Sequence, residues 1–350
     1  MVRKGLAFIG FALLFVSCMN GGTNSNVKQY KLDNYQVLNE YDFDTIGTIR
    51  DAIIYQKNII ITADNSNSCF HIIDTGSGNL IKSWGHEGRG PGEYIRIGRQ
   101  LSINDSSLYF SDNGRKTLHS IPIDVLLSSG NEQNDGVNYP YTEVFRPTKF
   151  LALKDYVICL GAIKDMRFGL LDCKTGRIIP HDNYYMPHSE FIEGIYVGSV
   201  YQSIMQSNPL GNSFVISLLS SDYFEIFNID NNHVHRVYEH KDATMPQVHI
   251  KAKIGTEYTI DYDKSLAGNV NVTTTKDKIY FLYSDVSYSE YSEKDEANYI
   301  KVYDWNGKHL EDLVLPFAVS RIIATENLLY CIKQDVDKVV IYTFGLDNIA

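Results

Sequence analysis

Phe70-His71-Ile72-Ile73-Asp74, Thr75-Gly76-Ser77-Gly78-Asn79, Leu80-Ile81-Lys82-Ser83-Trp84 reads as strand, tight turn, strand. Asp, Asn and Gly suit such a turn because they accept positive φ or bond the turn backbone with a side chain. The pattern recurs in Gly169-Leu170-Leu171-Asp172 followed by Lys174-Thr175-Gly176-Arg177, and in Ile226-Phe227-Asn228-Ile229-Asp230 followed by Asn231-Asn232-His233. A fourth copy is Val302-Tyr303-Asp304 followed by Trp305-Asn306-Gly307-Lys308, and weaker ones end at Asp124 and Asp347. The six Asp positions fall roughly 40 to 75 residues apart. Four strands per unit at a period of about 40 to 60 is the pattern of a β-propeller blade, and the longest gap implies an insertion.

The remaining strands fill six blades of about 55 residues each. The outermost strand of blade two is expected at residues 141–145. The last blade has only three strands, and the β-rich run 35–43 precedes the first blade. Pairing 35–43 with 338–344 would close the ring and leave no open sheet edge. The expected fold is therefore all-β, a six-bladed β-propeller closed by its N-terminal strand. Twenty-five Tyr and 16 Phe beside 9 Pro fit that class.

The chain carries 42 acidic residues and 32 Lys and Arg, a formal charge of −10. An acidic chain without a basic block excludes a nucleic-acid partner, which would need a Lys/Arg footprint. Arg3 and Lys4 precede an apolar run over residues 5–16, too short to span a bilayer and fitting a secretory signal peptide. Phe15-Val16-Ser17-Cys18 resembles a lipobox, with Cys18 as the lipid attachment site. Residues 1–17 then read as a lipoprotein signal peptide, 18–33 as a lipidated flexible tether, and 34–350 as the propeller. The implied location is the outer membrane, facing the periplasm, with exposure at the cell surface as the alternative.

Cys69, Cys159, Cys173 and Cys331 are far apart and lack zinc spacing. His233 and His235 share one strand face with His240 nearby, but the strand is an outer one and only Glu239 stands at useful spacing as a third ligand. The expected inner strands carry no His, and no G-x-S-x-G elbow occurs. Nothing in the sequence calls for a metal or a cofactor.

Trp84-Gly85-His86-Glu87-Gly88-Arg89-Gly90-Pro91-Gly92-Glu93-Tyr94 resembles the G-x-x-G-x-G-P-G-E-[FY] segment of the TolB-like or NHL-like six-bladed propeller lipoproteins of Bacteroidota. Leu108-Tyr109-Phe110-Ser111-Asp112-Asn113-Gly114-Arg115 is similar to that family's strand and turn. The resemblance implies the fold and an envelope location. It implies no particular activity.

In a propeller, the connections alternate between two faces. The long ones, 85–97, 181–201, 241–270 and 285–298, are expected on one face, around the channel mouth. They carry Arg89, Glu93, Tyr94, Arg96, Tyr184, Tyr185, Tyr258, Tyr262, Tyr288 and Tyr291, the candidate ligand-binding residues. Aromatic planes beside charged groups suit a glycan, a peptide or an envelope protein partner. The expected role is a non-catalytic binding or scaffold module. The alternative is a hydrolase or lyase with its active site at the channel mouth.

Overall fold

A computed structural model describes residues 27–347, except 91, 105, 129–136, 141–144, 155, 164–165, 173–174, 176–177, 182–200, 231–232 and 253–255. Six sheets surround a central channel, each running from an innermost to an outermost strand. Blade one comprises Thr48–Tyr55, Asn58–Asp64, Phe70–Asp74 and Leu80–Trp84. Blade two comprises Ser102–Ile103, Ser107–Asp112, Thr117–Pro122 and Val137–Pro140. Blade three is Phe145–Ala152, Tyr156–Ile163, Met166–Asp172 and Ile178–His181; blade four is Ser203–Ser207, Ser213–Leu218, Phe224–Asp230 and His233–Glu239. Blade five is Leu266–Thr274, Lys278–Ser287, Ala297–Asp304 and His309–Val319. Blade six is Arg321–Ala324, Leu328–Gln334 and Lys338–Gly345, completed by Tyr35–Asp42 from the N-terminus.

That last pairing is antiparallel, with Tyr35 opposite Phe344 and Asp42 opposite Lys338, and it is the closure expected from the sequence. Two details differ. The outer strand of blade two is Val137–Pro140, and Phe145 already begins the next inner strand. Tyr139 accounts for the shift, because it packs on the apolar layer between blades two and three. Lys28–Lys31 is also a strand, lying parallel to His309–Val319 on the rim of blade five. Packed chain thus begins before the boundary expected at residue 34.

The core is a set of layers between neighbouring blades. Blades six and one share Ile46, Ile59, Ile61, Ile73, Ile332 and Val339, and blades five and six share Ile300, Leu313, Leu329 and Phe344. Similar layers fill the other four boundaries. Each fully buried Ile contributes roughly 1.5–3 kcal/mol of apolar burial. Polar side chains then fasten neighbouring inner strands. Asp51 Oδ2 accepts from Leu101 N at 2.6 Å, Ser102 Oγ from Ala152 N at 2.7 Å, and Asn271 Oδ1 from Ile322 N at 3.0 Å. The partners are separated by 50, 50 and 51 residues, so the blade period appears directly in the bonding.

Candidate functional site

The segment from Trp84 to Tyr94 crosses from blade one to blade two. Gly85 and Gly92 have φ of +70° and +75°, where a side chain would strain the backbone. His86–Glu87 pairs in parallel with Glu93–Tyr94. The Glu93 carboxylate turns back to accept from Gly90 N at 2.6 Å, and Arg115 donates to Gly90 O at 3.0 Å. Asp112, fully buried, accepts backbone N–H bonds from Ile95, Arg96, Gly114 and Arg115 at 2.9–3.1 Å. Tyr94 is only 1% exposed, its ring 5.1 Å from Phe110 and 5.7 Å from Trp84. The glycine-rich segment is therefore a clasp between two blades. Tyr94 is a core residue and cannot meet a ligand on the surface, which corrects its candidacy; Glu93 is engaged in holding the loop. Arg89 and Arg96 are exposed.

Inner strands start at one face and end at the other, and antiparallel order fixes where each connection lies. Among the described residues, the long connections 85–101, 240–265 and 288–296 all meet the face where inner strands start. An exception is the segment after Pro122, which holds the short helix Ile123–Leu127 on the opposite face. Two long connections touch each other at the mouth. Tyr288–Lys294 is a helix capped by the Ser287 hydroxyl, which accepts from Glu290 N. Ser289 N donates to Tyr262 O at 3.1 Å, and Tyr288 N to Ser265 O at 2.8 Å. The rings of Tyr262 and Tyr288 then stand 4.8 Å apart, with Tyr291 6.3 Å from Tyr288. Tyr262 is 43% exposed, Tyr288 half-buried and Tyr291 buried.

Below these rings the channel narrows into a cavity of about 140 Å³. Its wall carries Arg50 and Asp51 from the inner strand of blade one, Lys149 from that of blade three, Arg321 from the start of that of blade six, and Arg99 from just before that of blade two. Lys149 Nζ donates to Arg99 O at 3.3 Å, and Arg321 reaches Arg50 O at 3.5 Å and the Asp295 carboxylate at 3.8 Å. Arg50 is paired with Asp64. Burial lowers the Lys149 ammonium to about 8; Asp51 opposes the shift, while Arg99 and Arg321 add to it. Burial raises the Asp51 carboxyl, against the pull of Leu101 N–H, Lys149 and Arg321. Gln100 donates to Met205 O at 3.2 Å, while its Oε1 is buried and accepts no hydrogen bond in the described structure. The wall thus offers cations, with the unpaired Gln100 oxygen buried behind it.

A model of the family described as TolB-like 6-blade propeller-like matches residues 49–327. The chain belongs to that family. No curated protein matches it. Among solved structures, it is similar to the β-propeller domain of Cps50 (Swd1) from Myceliophteria thermophila. The identity is 11%, the coverage 88% of this chain and 99% of that one, and the TM-score 0.50. A putative exported protein from Bacteroides fragilis gives 11% identity, 90% and 98% coverage and a TM-score of 0.49. BamB from Moraxella catarrhalis gives 12%, 89% and 100%, and 0.43. At such identities the likeness extends to the fold alone.

Within this propeller the sequence-selected residues divide. Tyr262, Tyr288 and Tyr291 come together at the mouth. Arg89 and Arg96 lie on the same face but across the ring, on the connection between blades one and two. Cys18, Tyr184 and Tyr185 lie outside the described residues; Tyr258 lies in the strand Thr256–Ile260 of an added hairpin. His233 and His235 are exposed on an outer strand. Among the described residues no group of three His, Cys, Asp or Glu is arranged to hold a metal. Sequence reading missed Arg99, Lys149 and Arg321. Only the 50-residue spacing of Arg99 and Lys149, equal to one blade, could have drawn attention to them.

Proposed function

We propose that this chain is a lipid-anchored envelope module that binds a ligand without transforming it, at the loop-bearing mouth of the propeller channel. The observation that carries the reading is the Tyr262–Tyr288–Tyr291 cluster standing over a cation-lined lumen. Exposed aromatic rings beside charged groups are the composition of a recognition site. The connections that build this cluster are longer than turns require, and long connections in compact domains are commonly functional. The signal-peptide pattern ending at Cys18 supports an outer-membrane address facing the periplasm. A glycan, a peptide or an envelope protein each suits the chemistry of the mouth.

The test is capture by immobilised protein from defined glycan and peptide libraries. Wild type is expected to retain a discrete set of ligands. The Tyr262→Ala, Tyr288→Ala double variant is expected to lose them while its melting temperature falls by only a few degrees. Equal capture by both proteins would remove the mouth as the site.

A further inference from the structure

The cation-lined cavity makes a narrower demand on its occupant than the tyrosines do. Resting on the binding reading above, we infer that the cavity recognises a hydroxylated carboxylate, as an acidic sugar presents, with the carboxylate between Arg99, Lys149 and Arg321.

Three observations converge. First, the wall is cationic although the whole chain carries −10. Asp51 is the acid on the inner-strand wall, and both its oxygens are already occupied, accepting from Ala52 N at 2.9 Å and Leu101 N at 2.6 Å. Asp295 also lines the cavity, where it is exposed and faces Arg321 at 3.8 Å. Arg99 is exposed toward the opening. An incoming carboxylate would meet charge-assisted donors at reduced dielectric, where such bonds are strongest. Second, Gln100 lines the cavity, and its Oε1 is buried just behind the wall without a donor, so that a turn of the side-chain amide presents it to an occupant. A ring hydroxyl supplies the missing donor, whereas chloride cannot. Third, Tyr288 borders the cavity and Tyr262 extends its aromatic surface outward. The C–H face of a sugar ring packs on such planes. One ring bearing a carboxylate and hydroxyls meets all three requirements, and the cavity of about 140 Å³ admits a single ring.

The state of Lys149 follows the same logic. Arg50, Arg99 and Arg321 repel its charge, Asp51 attracts it, and Tyr288, Tyr291 and Asp295 complete the titratable surroundings. A bound carboxylate would favour the ammonium form. Affinity for a carboxylate is therefore expected to fall as pH rises past about 8.

The experiment is calorimetric titration of the mature chain with D-glucuronate, alongside glucose, inorganic phosphate and an N-acetylated dipeptide with a free C-terminus. Saturable binding of glucuronate, at least tenfold tighter than each of the other three, is expected. Lys149→Met should weaken it about tenfold or more, and the exposed-site variant Arg99→Gln should weaken it measurably without altering the melting temperature. Lys149→Met is expected to melt no lower than wild type, since it removes a charge held among like charges. No glucuronate binding, equal binding of glucose, tighter binding of phosphate or of the dipeptide, or unchanged affinity in both variants would each overturn the assignment. Should glucuronate fail while the library capture still returns a ligand that depends on Tyr262 and Tyr288, the acidic-sugar assignment falls and the binding reading stands. Should the library capture fail as well, both fall.

Discussion

Asp112 has no exposed surface, and its carboxylate accepts four backbone N–H bonds from two segments. Replacing it with Ala strands those donors in the interior, where each unsatisfied group costs about 1–3 kcal/mol. We predict that Asp112→Ala loses roughly 3 kcal/mol or more in urea denaturation. Asp112→Asn should lose less, because one oxygen still accepts; equal losses would mean that packing rather than bonding dominates. His71 gives a pH-dependent counterpart. It is 1% exposed, its ring nitrogens lie 3.0 Å from Ser83 Oγ and 3.1 Å from Ser66 Oγ, and burial lowers its pKa below 6.5. Burial also lowers the pKa of His240, stacked on Phe224. Both favour the neutral ring in the fold, so their contribution is complete above about pH 6.5 and is lost as pH falls through the lower folded values. The melting temperature is expected to drop between pH 6.5 and 5, and His71→Asn to flatten that drop. An unchanged slope would assign the acid sensitivity elsewhere. Individual side chains were unevenly readable in the sequence. Tyr262 and Tyr288 stood out because aromatic residues in connections lack a packing reason. Tyr94 carried the same signal and turned out to be core, because a sharp crossing can fold its aromatic inward. Lys149 and Arg321 were hidden by their position inside β-rich runs, where an inward-facing charge has no local mark.

The strands were far more readable than the residues lining the channel. Asp-Asn-Gly turns punctuate apolar runs, so Phe70–Asp74 and Leu80–Trp84 could be bounded almost to the residue. Elements without such punctuation were missed. Lys28–Lys31 is short and charged, and it forms by parallel addition to an edge that only the folded molecule provides. The hairpin of Val248–Ala252 and Thr256–Ile260 and the helix Tyr288–Lys294 lay inside what read as loops. Ring closure was readable because one blade lacked a strand and the N-terminus held a spare. The two closing strands differ in weight. Lys338–Gly345 buries Val339, Val340, Ile341 and Phe344 almost completely, whereas Tyr35–Asp42 buries only Tyr41. Four such side chains amount to roughly 6–12 kcal/mol, comparable to the whole net stability of a domain. Deleting 335–350 is expected to abolish the cooperative unfolding transition. Deleting 27–42 should lower the melting temperature yet leave a transition, since blade six keeps three strands. If the C-terminal deletion melts like the intact chain, the ring is not held by this closure.

The direction of the two N-terminal strands orients the molecule relative to its expected anchor. Tyr35 lies opposite Phe344, and Gly345 ends a strand that runs toward the face of short turns. Lys28 pairs with Glu311, near the start of an outer strand that begins on that same face. The chain therefore enters the propeller on the side opposite the tyrosine-rimmed mouth. Lys28 lies ten positions after Cys18, a distance of at most about 35 Å fully extended. An anchor at Cys18 would leave the short-turn face toward the lipid and the mouth turned to the aqueous phase. That arrangement suits capture of a ligand from solution. It also separates anchoring from recognition, because Cys18 precedes the first described strand, Lys28–Lys31, which enters from the face opposite the mouth. We predict that Cys18→Ala moves the protein from the membrane fraction to the soluble fraction and abolishes incorporation of labelled palmitate. The released chain should keep the melting temperature of the mature protein and its affinity for whatever the mouth binds. If Cys18→Ala still sediments with membranes and incorporates as much label as wild type, the lipid-anchor reading is wrong. If it is released but loses affinity, the mouth depends on the membrane, and the separation of the two faces does not hold.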